Sequence, residues 1–108
     1  MKTIKVSNLR SPRSGESVKN QFEICESTKT TTSYTFQSYQ TIIAKVIYKN
    51  GEQIVILDKN ALDYSVTTSK YLYQFLDNVS KLRGMRKKEI QEAIENKEIK
   101  LKNLNYWF

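Results

Sequence analysis

The chain has 108 residues, 39% hydrophobic and 27% charged, and a net charge of +7, which suits one domain (1–108) around one core and argues against wholesale disorder. Its single cysteine, Cys25, excludes an internal disulfide, and the absence of histidine removes the usual catalytic triads and most zinc sites. The longest apolar run, Ile54 to Leu57, is far too short for a membrane span, and no apolar stretch precedes Ser7-Asn8, so an intracellular protein without a signal peptide is expected.

Lys2 to Val6 alternates and predicts a short strand. Ser11-Pro12-Arg13-Ser14-Gly15 then breaks regular structure, because proline fixes φ and glycine permits turns. Asn20 to Cys25 alternates again and predicts a strand, with Cys25 a small buried hydrophobe rather than a nucleophile. Thr28 to Ser33 is polar and predicts a loop, and Tyr34 to Tyr39 resumes strand chemistry. Asn50-Gly51 is the clearest local signal. Both residues tolerate positive φ, so a two-residue hairpin is expected that pairs Lys49 with Glu52, Ile47 with Ile54 and Val46 with Val55. One face of that hairpin would carry Ile42, Ala44, Val46, Tyr48, Val55 and Leu57, and the other Ile43, Ile47, Ile54 and Ile56 beside Lys45 and Lys49. Two apolar faces imply two coverings: helices on one side, and another strand layer or a second subunit on the other.

Leu72, Phe75, Leu76, Val79 and Leu82 follow helical spacing, with Thr67 or Thr68 placed to cap and Gly84 to stop the helix. A shorter helix is expected over 87–96, turning Ile90, Ala93 and Ile94 inward, followed by a closing strand around Ile99 and Leu101. The fold class that follows is α+β: a small antiparallel sheet with a central Asn-Gly hairpin, two C-terminal helices packed on it and a final short strand.

Charge is unevenly distributed. Residues 1–20 hold five basic and one acidic side chain and 61–88 hold six against two, whereas 21–60 balance and 89–108 are slightly acidic. Such clustering fits a surface for an anionic partner, although a basic surface also serves solubility. Arg10 and Arg13 flank the Ser-Pro turn, where guanidiniums and turn amides suit phosphate oxygens; the plainer alternative is a solvated loop. Ser65 to Lys70 opens the first helix, where free amides beside Lys70 could hold an anion or simply be capped. Arg83, Arg86, Lys87 and Lys88 form the densest basic cluster. Cations at a helix N-terminus oppose the macrodipole by roughly 0.3–1 kcal/mol each, so helix energetics do not ask for them. Pairs Arg86–Glu89 and Lys88–Glu92 would offset only about 0.2–0.5 kcal/mol each.

Tyr34, Tyr39, Tyr71 and Tyr73 are amphipathic and could stack on unpaired bases or anchor a protein interface. Tyr106-Trp107-Phe108 either docks on the body or offers a hook to a partner. Catalytic candidates are few. Glu23, Glu26, Glu52, Asp58 and Asp63 could gather magnesium, and Glu98-Ile99-Lys100 weakly echoes a nuclease element without its usual companion strand, so no enzymatic activity and no cofactor are expected.

Read together, Arg10-Ser11-x-Arg13-Ser14-Gly15, Asn20-Gln21-Phe22, Phe36-Gln37-Ser38-Tyr39 and Asp63-Tyr64-Ser65-x-Thr67-Thr68-x-Lys70-Tyr71-Leu72 resemble small proteins of tailed bacteriophages, in an uncharacterised domain family. The resemblance implies an origin and the host bacterial cytoplasm as the place of action; it supplies no activity. The leading expectation is a non-enzymatic accessory protein binding nucleic acid, with Arg10, Arg13, Lys70, Arg83, Arg86, Lys87 and Lys88 on phosphates and Tyr34 and Tyr39 on bases. The alternatives are a protein-binding inhibitor of a host or anti-phage defence enzyme, of anti-CRISPR type, and a structural protein that dimerises through the second sheet face.

Overall fold

The computed structural model describes residues 2–105. Five strands run as an antiparallel meander: β1 (Thr3–Arg10), β2 (Ser17–Ser27), β3 (Thr31–Ser38), β4 (Thr41–Lys49) and β5 (Glu52–Asp58). A short 3-10 turn (Ala61–Asp63) leads to helices α1 (Val66–Val79) and α2 (Lys87–Glu95), and β6 (Ile99–Lys102) closes the chain beside β5.

Turn chemistry accounts for the meander. In the β1–β2 turn Gly15 adopts φ +73°, and the Arg10 Nη1 donates to the Gly15 carbonyl at 2.8 Å. The polar stretch expected as a loop shrinks to Thr28–Thr30, because the Thr28 hydroxyl accepts from the Thr31 amide at 3.1 Å and leaves β-favouring threonines free to start β3. Tyr39 and Gln40 join β3 to β4, with Tyr39 at φ +55° and its carbonyl accepting from Gln37. Asn50 and Gly51 adopt φ +53° and +78°, and the pairings Lys49–Glu52, Ile47–Ile54 and Val46–Val55 form as expected.

One register shift rearranges the faces. Phe36 pairs with Ala44 but Gln37 pairs with Ile42, so Ile43 is an extra residue in β4, a β-bulge. Strict alternation would put Ile43 on the second face; the bulge turns it into the core, where it is 1% exposed, and leaves Ile42 half-buried.

The expected sheet is corrected in its topology. It is mixed and six-stranded, ordered β1 to β6, with both helices inserted before the last strand, and β6 runs parallel to β5 with Ile99 beside Val55 and Leu101 beside Leu57. A parallel neighbour needs a long crossover, and the segment from Ala61 to Glu95 supplies it. The alternation of Ile99 and Leu101 announces a strand but carries no information on its direction.

Both helices pack on one face. Leu72, Phe75 and Leu76 from α1 and Ile90 and Ala93 from α2 join Phe36, Ala44, Val46, Val55, Leu57 and Ile99 in one core, with the Phe36 and Phe75 rings stacked at 5.7 Å. Ser65 caps α1 by accepting from the Thr68 amide, in place of the expected Thr67 or Thr68, and the helix ends at Ser80, short of Gly84. No helix among the described residues is long and apolar enough to cross a membrane. The opposite face carries Ile4 and Val6, both exposed, the half-buried Phe22, Ile24, Ile47 and Ile54, and the buried Ile56.

The C-terminal end is tied down by Asp58, which is 2% exposed. Its carboxylate accepts from the Leu104 amide at 3.0 Å, the Asn60 amide at 3.2 Å and the Asn105 Nδ2 at 3.1 Å. Asn105 also grips Ile42 from both sides of its carboxamide, accepting from the amide at 2.7 Å and donating to the carbonyl at 2.9 Å. The Tyr106-Trp107-Phe108 segment lies outside the described residues.

Candidate nucleic-acid interface

A groove of about 710 Å³ lies between the β1–β2 turn, the 3-10 turn and the outer face of α1, and the start of α2 closes one end. Pro12 comes from the first of these, Leu62 from the second and Tyr64 just after it, Lys70, Tyr73 and Asp77 from α1, and Lys87 from the start of α2 with Arg86 immediately before it. The Gln74 Nε2 donates to the Arg10 carbonyl at 2.8 Å and so moors the turn against α1. Val66, Lys70, Tyr73 and Asp77 recur at i, i+4, i+7 and i+11, which puts them on one stripe of the helix, next to the stripe buried in the core.

Arg86 organises the far end. Its guanidinium stands over the Tyr73 ring at 5.3 Å, reaches the Asp77 carboxylate at 3.7 Å, and donates to the Met85 carbonyl. Asp77 also accepts from the Gly84 amide at 2.7 Å. Arg86 therefore has a structural partner that the sequence did not disclose, and the expected Arg86–Glu89 and Lys88–Glu92 pairs are absent among the described residues. Lys70 lies over the Tyr71 ring at 5.4 Å, and Lys87 has no ion-pair partner there.

Of the nine residues singled out in the sequence, three (Lys70, Arg86 and Lys87) line the groove. Arg10 and Arg13 flank Pro12 on the adjoining turn, but the Arg10 guanidinium is committed to closing that turn. Lys88 is exposed next to Lys87, and Arg83 lines a separate depression with Glu23, Tyr34 and Tyr48. The two tyrosines are not brought together. Tyr39 is 63% exposed at the β3–β4 turn. Tyr34 is half-buried on the helix-bearing face, edge-to-face with Tyr48 at 6.1 Å, and burial pushes its phenol above the usual range. The tyrosines that line the groove are Tyr64 and Tyr73. Of the four tyrosines singled out in the sequence, Tyr73 is the one that lines the groove, on the helical stripe through Lys70. Tyr64 hydrogen bonds to Asp58 at 3.5 Å, and burial together with that carboxylate raises its phenol.

The acidic residues do not assemble: among the described residues no group of three or more His, Cys, Asp or Glu side chains is placed to hold a metal ion. Glu23 is half-buried, and desolvation raises its carboxyl above the ordinary 4.5.

No curated protein and no solved structure matches the chain. Residues 4–92 match the model of a family described as a family of unknown function (DUF8033), a span that includes every residue of the groove. The chain therefore belongs to the DUF8033 family.

Proposed function

We propose that the chain is a non-enzymatic nucleic-acid-binding protein that engages phosphates along the groove beside α1. The observation that carries this reading is the convergence of Lys70, Arg86 and Lys87 on one depression whose only carboxylate among the described lining residues, Asp77, is already bonded to Arg86 and the Gly84 amide. Arg13 and Lys88 adjoin it and extend the basic surface, and the net charge of +7 favours approach of a polyanion. The phage resemblance would place this activity in the host bacterial cytoplasm. Fluorescence anisotropy with labelled DNA and RNA at several salt concentrations tests it: binding that weakens steeply with salt supports a multi-phosphate contact, and no binding at low salt removes the reading.

A second reading, self-association through the second sheet face, has its own support. An antiparallel sheet with one wet face normally alternates apolar and polar residues, yet this face carries Val6, Ile24, Ile47, Ile54 and Ile56 across four strands. Six strands about 4.8 Å apart and roughly seven residues long at about 3.4 Å each give a face of about 600–700 Å². Two such faces bury about 1,200–1,400 Å² in total, the lower end of a stable interface. Light scattering on a size-exclusion column decides this: a dimer supports it, and a monomer at high concentration excludes it.

A further inference from the structure

The groove is apolar where a duplex-binding surface would be charged. Val66 is 87% exposed at the first position of α1, and Leu62, Tyr64 and Tyr73 continue the apolar lining inward. Neither packing nor capping explains Val66. It contributes nothing to the core, Ser65 already caps the helix, and a β-branched residue is a poor helix former. Its surroundings are cationic, with Lys70 one turn along the same stripe and Lys87 across the groove.

The faces of a paired base are covered by its neighbours in the stack, so a duplex offers such a slot base edges, sugar and phosphate but no open π-face. An unpaired base offers a π-face that every sequence shares, and aromatic side chains bind it by stacking. A volume of about 710 Å³ also lies within the range of sites that enclose a small ligand. We infer that the groove takes an unpaired base of a single strand, seated among Val66, Tyr64 and Tyr73, with the neighbouring phosphates on Lys70 and Lys87. Arg86, held by Asp77, fixes the Tyr73 ring in place before any ligand arrives, so little side-chain order has to be created on binding.

This inference rests on the nucleic-acid reading, and the test separates the two. Anisotropy is measured at low salt on the full chain with a fluorescent single-stranded 12-mer and with its duplex. A matched single strand carrying 2-aminopurine reports stacking by loss of fluorescence. The native chain should bind the single strand at least about ten-fold more tightly and quench 2-aminopurine. Val66→Ser, an exposed and charge-neutral change, should weaken the single strand by about three- to ten-fold and the duplex by less than about two-fold. Equal affinity for the two forms, or a single-strand affinity unchanged by Val66→Ser, would overturn the base slot and leave phosphate binding standing. Absence of binding to either form overturns both.

Discussion

Replacing Lys70 and Lys87 together by alanine isolates the electrostatic part of the proposal. Both side chains are exposed and neither makes an ion pair among the described residues, so the fold should tolerate their loss. Removing Lys87 from the first turn of α2 should even relieve the helix dipole by about 0.3–1 kcal/mol. Stability and binding are therefore expected to move in opposite directions. Each phosphate neutralised on a single strand contributes about 0.7 to the slope of log affinity against log salt. The two groove cations without an ion-pair partner, Lys70 and Lys87, give a slope of about −1.4, which from 50 to 200 mM salt amounts to a loss of about 7-fold. In the double variant, with Arg86 committed to Asp77, the groove's share of the slope falls toward zero and the same change in salt costs little. Anisotropy titrations of both proteins across that salt range, with thermal melts alongside, measure both quantities. A slope unchanged in the double variant would refute the assignment of these lysines to phosphates, whatever happened to overall affinity.

Three further outcomes follow from the same geometry. Glu23 has its folded pKa raised by desolvation, so the folded state holds the proton more tightly than the unfolded chain. Stability should then fall as pH rises from about 4.5 through the raised value, and Glu23→Gln should flatten that part of a melting-temperature profile and stabilise the protein at neutral pH; an unaltered profile would count against the burial argument. Asn105→Ala removes both bonds to Ile42 and one to Asp58, and with three partners left wanting it should cost about 1–3 kcal/mol in urea unfolding, whereas a cost near zero would show that water replaces the carboxamide. If the second sheet face joins two copies, Ile47→Lys should give a folded monomer by light scattering, and a persistent dimer would place the interface elsewhere.

The sequence disclosed those features that short-range chemistry dictates. Asn50-Gly51 has one natural conformation, and its register, once set, aligned the whole of β4 with β5. Helical spacing found the buried stripe of α1 for the same reason. Tyr39-Gln40 contains neither glycine nor asparagine, so that turn is imposed by the pairing of the flanking strands rather than by its own residues. The bulge at Ile43 is likewise a property of two strands meeting, invisible in one of them, and it exchanged the roles of Ile42 and Ile43. In the groove, the cations were legible as a cluster but their partners were not. Arg86 meets Asp77 and Tyr73 only because the loop at Gly84 brings the start of α2 back to α1, and Tyr34 faces the helices only because of its register with Val46.

The late arrival of β6 has a consequence for how the chain folds. The pairings from β1 to β5 join strands that are adjacent in sequence and can form by short loop closures, while Ile99 must find Val55 across the whole helical crossover. Asp58 sits at the end of β5 with its carboxylate waiting for amides that only appear at Leu104 and Asn105. The C-terminal strand thus works as a latch engaged after the meander exists. Its release would uncover the edge of β5 and the flank of Ile90 without dismantling the other strands, so amide protons of β6 should exchange with solvent earlier than those of β3 and β4.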